Sequence, residues 1–419
     1  MLSKFLGLFL SRPPERIYFV PEIAWLQLGP IEGMSPEHNL DLRPIPFQDI
    51  ADEVSIKNRD RQSLRQLAVY PACVEAECLP AQLPALIAEQ PDLQSKYVLQ
   101  FAARLHKIRT EFKKHRPSAV LVVQGYEPES ALLRHVAIEQ KIPVLAVENT
   151  ALNDRMLWDD LSAITTNRSM AKNYFWRYEN HVDDDIANEF CDKLIATTKN
   201  RKGECHESPQ QSARLPFEGD FALFLGQVYT DTSILFGLGD WESPEAVIES
   251  FLTHCKENQL CAVLKLHPKE KTGRPPGQMT PYNQLTLRKI MANERLAALI
   301  ANTDQVLIDS ENEFDTYDLI RRARLSVTIN SQSGLEAAIR GTPTVVCGQA
   351  FYGSLGFTYD ASRAEHFGIA FSEAAAAKAE PSKTRLARKF TTIYFDRYCR
   401  EKSIGSLLTL IKSTAKKCP

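Results

Sequence analysis

Short apolar runs alternate with amphipathic helical stretches along most of this 419-residue chain, and that alternation leaves few folds open. The clearest unit runs from Ala119 to Val147. Two Val-rich runs, Ala119–Val123 and Val144–Val147, flank EPESALLRHVAIEQKI, where Leu132, Leu133, Val136, Ala137 and Ile138 recur at helical spacing. A strand, a crossover helix and a second strand mark a parallel sheet. Further strands are predicted at Arg16–Val20 and Gln66–Val69, and helices at Ser95–Lys114 and Asp184–Thr198. From Asn200 to Pro216 the sequence turns polar, and the alternation then restarts. Strands Phe221–Leu225, Ala262–Leu266, Val306–Ile308, Ser326–Ile329 and Thr344–Val346 are separated by helices Pro244–Glu257, Asn283–Ala301, Thr316–Ala323 and Ser333–Arg340. That is the pattern of a second doubly wound unit.

A chain this long exceeds one ordinary core, and two domains of roughly 200 residues are expected. The expected division is 1–210, 211–388, and C-terminal helices over 389–419 packing back across the linker. The predicted fold class is α/β and GT-B-like: two doubly wound Rossmann-type domains facing across a cleft. Many sugar transferases and some epimerases share that arrangement, but fold does not fix chemistry. Lys271–Tyr282, rich in Pro and Gly, follows a strand end and reads as a mobile flap or an idle surface loop.

Several function classes are disfavoured. A net charge of −2 gives no pull toward nucleic acid. The nine cysteines include no CxxC pair; Cys73 and Cys78 are five apart and Cys205-His206 stands alone, so no zinc pattern appears. Dispersed cysteines suit a reducing cytoplasm. No apolar run reaches the roughly 18 residues of a membrane span. The N-terminal MLSKFLGLFLSRPP has a short apolar core, Phe5–Leu10, and no small-residue cleavage site before Arg12. It reads as a helix packed on the body, with an interfacial anchor as the alternative. The basic tail KSTAKKCP reads as a solvated helix end or a contact for anionic lipid. The expected location is the cytoplasm, with peripheral contact at the inner membrane.

Three segments carry candidate chemistry. In LGQVYTDTSI, Leu225–Ile234, Asp231 follows a strand among small hydroxyl residues. A carboxylate there can cap a helix, or act as a nucleophile toward an anomeric carbon. In LKLHPKE, His267 stands at a strand end beside Lys265 and Lys269, a cationic cluster able to neutralise phosphate. A strand-end His bonded to backbone is the plainer reading. In NSQSGLEAAIRGTPTVVCGQAFYGSLGFT, Asn330–Thr358, the residues Ser331, Ser333 and Gly334 sit where a helix begins. Unpaired N–H groups there can hold an anion, and a Ser-rich start is also a common cap. Glu336, near the same mouth, could accept from ribose hydroxyls.

GQVYTDTSI, LKLHPKE and SQSGLEAAIRGTPTVVCGQAFYGSLGFT, in this order, resemble the capsule polysaccharide biosynthesis family, and within it the retaining β-Kdo glycosyltransferases that use CMP-Kdo. The first half matches only through QGYEPES and LAVENTAL. The resemblance implies that Asp231 forms a covalent Kdo adduct, with Gln227 orienting Asp231 or the donor. It implies that His267, with Lys269 beside it, contacts the CMP phosphate or the sugar carboxylate. Ser331, Ser333 and Gly334 would hold phosphate, and Glu336 would bind ribose. Glu148, in VENTAL, would do acid–base work on the acceptor hydroxyl, or be an ordinary strand-end carboxylate. The 1–210 domain would bind the acceptor, a bacterial O-antigen or capsule glycan, lipid-linked, and the 211–388 domain the nucleotide sugar. Two departures stand out: Thr230-Asp231 replaces a pair of adjacent acids, and Lys265-Leu266-His267-Pro268 replaces RPHP.

No cofactor and no metal are expected. The acids of DSENEFD read as a solvated loop with Asp315 as a helix cap. Two alternatives compete. One is another GT-B nucleotide-sugar transferase or epimerase with a different donor. The other is a non-enzymatic glycan-binding subunit.

Overall fold

The computed structural model describes residues 13–35, 37–46, 56–160, 169–198, 214–272, 283–301, 303–377 and 380–417. The chain forms two compact units. One comprises Met1–Ala72, Ala85–Asn167 and Cys399–Pro419; the other comprises Cys73–Pro84 and Arg168–Tyr398.

The first unit is built on a seven-stranded sheet. Its strands are β1 (Glu15–Phe19), β2 (Gly33–Ser35), β3 (Leu40–Pro44), β4 (Ala119–Val123), β5 (Val144–Asn149) and β6 (Arg155–Asp159), with a short strand Arg400–Glu401 at one edge. The order is Arg400–Glu401, β6, β5, β4, β1, β3, β2. The centre is parallel, β1 pairing with β3 and β4, and β4 with β5; β2, β6 and Arg400–Glu401 run antiparallel at the margins. The predicted crossover is present as helix α1 (Pro128–Glu139), whose Leu132, Leu133, Val136 and Ala137 are fully buried.

Three expectations change here. Gln66–Val69 is not a strand, because Leu64 and Ala68 lie one helical turn apart and are both fully buried, so the segment continues helix Asn58–Leu67. The strand β3 was missed because LDLRP carries charges. Asp41 is nonetheless buried, its carboxylate paired with Arg16 at 3.2 Å and Arg43 at 2.8 Å. The third change concerns the division of the chain. The expected helix Asp184–Thr198 and a helix not foreseen, Ser169–Tyr178, both within the expected 1–210 domain, belong to the second unit. Phe175 packs on Phe390 at 5.6 Å, and Asp184 and Asp192 pair with Lys389 and Arg388 at 3.1 and 3.0 Å. The segment 389–419 is likewise divided, passing to the first unit at Cys399. There helix Ile404–Ala415 covers β4 and β5 and buries Leu407 and Ile411. The tail's Lys417 pairs with Asp160.

The second unit has a wholly parallel six-stranded sheet. Its strands are β7 (Phe221–Leu225), β8 (Cys261–Lys265), β9 (Val306–Asp309), β10 (Leu325–Thr328), β11 (Thr344–Val346) and β12 (Tyr359–Asp360), in the order β12, β11, β10, β7, β8, β9. Each residue of β7, β8 and β10 is buried, as strands covered on both faces must be. The helix expected over Asn283–Ala301 is two, Leu285–Ala292 and Glu294–Ala301. Asn293 divides them by accepting from Arg295 N and Leu296 N at 3.1 and 3.2 Å through its side chain.

The described cysteines are free, buried thiols. Among the described residues no helix is long and apolar enough to cross a membrane. The N-terminal segment Met1–Leu10, most of the polar stretch 200–216 and most of the loop 271–282 lie outside the described residues.

Leu223 is fully buried at the middle of β7, between β10 and β8. Leu223→Ala is expected to destabilise the second unit by about 2–5 kcal/mol in denaturant unfolding. A loss below about 1 kcal/mol would contradict a close-packed sheet centre there.

Candidate functional site

Strands β10, β7 and β8 are neighbours and parallel, so the loops after them share one edge of the sheet. At such an edge doubly wound sheets present ligands to loops and helix starts. The β7 loop opens at Gly226, whose N–H donates to Lys265 O at 2.8 Å. A Cβ there would stand 2.9 Å from that oxygen and 3.2 Å from Leu266 Cα. The glycine of GQV therefore lets two loops meet backbone to backbone.

Gln227 ties the β7 loop to the β10 loop. Its Nε2 donates to Asn330 Oδ1 at 2.7 Å and Ser233 Oγ at 3.0 Å, and its Oε1 accepts from Asn330 N at 3.0 Å. Asn330, 7% exposed, donates through Nδ2 to Ser233 O at 2.6 Å and Gly237 O at 3.1 Å. Both ends of the Gln227 amide are thus spent inside the protein, on Asn330 of the β10 loop and Ser233 of its own loop. Asn330 was missed by sequence reasoning. Its position directly after a strand, before two serines, was the available signal.

Asp231 is exposed, and its Oδ1 accepts from Ser233 N at 2.8 Å as the cap of a short helix, Thr232–Leu235. The capping reading therefore holds, and the cap fixes the direction of an exposed carboxylate. On the next loop His267 is half-buried, and its Nδ1 accepts from Lys269 N at 3.2 Å. An accepting Nδ1 puts the proton of the neutral ring on Nε2.

The expected cationic trio loses a member. Lys265 is 3% exposed and donates to Asp309 Oδ2 and Asn312 Oδ1, both at 2.5 Å. Its charge is consumed by Asp309, itself 3% exposed, which also accepts from Glu313 N at 2.8 Å and Phe314 N at 3.2 Å. Asp309 therefore belongs to a buried ion pair rather than to a solvated loop. Asp315 does cap a helix, accepting from Asp318 N at 2.7 Å. Lys269 is exposed.

After β10, Ser331 caps helix α2 (Gln332–Ala338), its Oγ accepting from Ser333 N at 3.2 Å. Gly334 turns inward: a Cβ would fall 2.2 Å from Tyr352 Oη and 2.8 Å from Thr328 Cγ2, so its smallness lets the helix start pack on Tyr352. Tyr352 Oη in turn donates to Ser331 O at 2.5 Å. Glu336 is half-buried. Its Oε1 accepts from Gln332 Nε2 at 3.4 Å, and its Oε2 is buried with no hydrogen-bond partner. A buried carboxylate oxygen left without a donor is costly and calls for one. Glu148 belongs to the other unit, at the end of β5, where it accepts from the Gln124 side-chain amide. Among the described residues no group of three or more His, Cys, Asp and Glu side chains is placed to hold a metal ion.

A family model described as capsule polysaccharide biosynthesis protein matches residues 159–398, more than half of the chain. No curated protein sequence matches. Among solved structures, the chain is similar to the KpsC β-Kdo 2,4-transferase of Thermosulfurimonas dismutans at 18% identity and TM-score 0.45, covering 71% of this chain and 87% of that one. The KpsC β-Kdo 2,7-transferase of the same organism follows at 16% and 0.43, covering 74% and 89%. The UDP-GlcNAc 2-epimerase of Neisseria meningitidis matches at 12% and 0.39, covering 96% and 99%. With all three scores this low, the fold rests on the strand order and register described above.

Lys265→Met should leave Asp309 buried without its cation and lower the unfolding free energy by about 3–5 kcal/mol. A change below about 1 kcal/mol in denaturant unfolding would show that the pair is hydrated and that Lys265 is available to a ligand.

Proposed function

The chain belongs to the capsule polysaccharide biosynthesis family, and on that premise we propose that it is a retaining β-Kdo glycosyltransferase using CMP-Kdo. The observation that carries this reading is an exposed Asp231 carboxylate, aimed by a backbone N–H, on a strand-end loop whose neighbours bear His267 and the Ser331–Glu336 helix start.

The chemistry follows from the charges. The donor carries two anionic groups, a phosphodiester and the Kdo carboxylate. His267 donates through Nε2–H to a donor oxygen, and Lys269 adds a positive charge beside it. The hydroxyls of Ser331 and Ser333 bind phosphate at the helix mouth. The unpartnered Oε2 of Glu336 accepts from a ribose hydroxyl. Asp231 attacks the anomeric carbon, the bond to the phosphate oxygen breaks, and CMP departs. An acceptor hydroxyl then attacks the same carbon. A general base takes its proton, and the bond to Asp231 breaks to restore the carboxylate. Two displacements retain the configuration. The acceptor is a bacterial surface glycan of capsule or O-antigen type, lipid-linked and met at the cytoplasmic face of the inner membrane. The transfer needs no metal.

Transfer from CMP-Kdo, followed by CMP release and by NMR of the product anomer, should give β-linked Kdo at a rate unchanged by EDTA. Asp231→Asn should lower kcat more than ~10³-fold. Near-normal activity in that variant, an inverted product, or transfer from a UDP- or GDP-sugar instead would overturn the proposal.

A further inference from the structure

Glu270 is 2% exposed, yet no lysine, arginine or histidine forms an ion pair with it among the described residues. Three donors converge on its carboxylate instead. Oε1 accepts from Tyr229 N at 3.0 Å and Thr286 Oγ1 at 2.7 Å, and Oε2 accepts from Thr286 N at 2.9 Å. Its main chain is engaged as well: Glu270 N donates to His267 O at 3.0 Å, and Gln284 N donates to Glu270 O at 2.9 Å. One residue thus joins the loop carrying Asp231, the loop carrying His267, and the start of helix Leu285–Ala292.

The residue it holds on the Asp231 loop is itself anchored. Tyr229, two positions before Asp231, is 2% exposed, and its hydroxyl donates to the Glu245 carboxylate at 3.1–3.2 Å. Glu270 holds the backbone of Tyr229 while Glu245 holds its ring, so the residue is fixed at both ends by hydrogen bonds. Asp231 N then donates to Val228 O at 3.0 Å, closing the turn on this anchored base. Bonds to a carboxylate are shorter and stronger than bonds to a neutral amide. A glutamine here has one accepting oxygen and must turn its NH2 toward a donor.

We infer that Glu270 is a positioning residue for the transfer reaction: its buried carboxylate sets the Asp231 loop against the His267 loop, without touching the substrate. This inference rests on the assignment of Asp231 and His267 to the chemistry. A misplacement of about 1 Å at a reacting group costs up to ~10²-fold in rate, so a small relaxation of the loop is enough to register.

The test is Glu270→Gln, read in two ways on the full chain. Amide hydrogen exchange needs no donor: residues 228–233 should exchange faster in the variant, while 344–346 in β11 stay as in wild type. Kinetics with CMP-Kdo should show kcat reduced about 10–100-fold with donor KM within about twofold. A purely structural role would lower the melting temperature without that split. Unchanged exchange at 228–233, or faster exchange with kcat unchanged, overturns the inference. If wild type transfers nothing from CMP-Kdo, the functional reading fails, and the exchange comparison still decides whether Glu270 anchors the loop. Should Glu270→Gln not fold, Thr286→Val removes one of the three bonds at constant shape. The same two readouts then apply, with a kcat loss of about threefold expected and unchanged exchange again overturning the inference.

Discussion

The N–H of Gly226 meets the carbonyl of Lys265 at 2.8 Å, and the candidate-site loops of the second unit are arranged around that contact. It exists because β7 and β8 are adjacent and parallel and because residue 226 has no side chain to hold them apart. From this point the two loops diverge, one to Asp231 and one to His267. The Gln227–Asn330 pair adds the β10 loop, and Glu270 ties the arrangement from beneath. A loop edge held by so many internal bonds loses little entropy when a ligand binds, which is the physical content of preorganisation.

The same edge shows how a buried polar group is tolerated or turned to use. Lys265 and Asp309 cancel one another, with Asn312 and two backbone N–H groups completing their bonds, and the result is structural. Glu270 has three donors and, among the described residues, no ion-pair partner. Glu336 has a buried oxygen with none, and in the proposed reading a ribose hydroxyl meets that demand. Burial raises the cost of all three; the number of internal partners separates scaffold from site.

How much of this was legible in the sequence depends on whether the cause was local. The strand β7 was read at its observed limits because a strand covered on both faces must be apolar throughout, and FALFL is. Helix α1 was legible because its buried stripe follows helical spacing. The strand β3 was hidden by Asp41, whose burial depends on arginines on β1 and β3 itself. Gln66–Val69 misled because a short apolar run fits either period. At the site, Asp231, His267, Ser331 and Glu336 stood in ordered motifs at strand ends and could be picked out. The fate of Lys265, the inward packing of Gly334 and the anchoring by Glu270 could not, because each depends on a partner 16 or more residues away.

In the proposed reaction Asp231 becomes covalently bonded to the sugar. Intact-protein mass spectrometry after incubation with freshly generated CMP-Kdo, without acceptor, tests it most directly, with Asp231→Ala in parallel. Wild type should gain the mass of one Kdo residue, mapping to the peptide containing Asp231 and absent from the variant. CMP release from wild type with no adduct at any quench time, or an adduct that persists in Asp231→Ala, would contradict it.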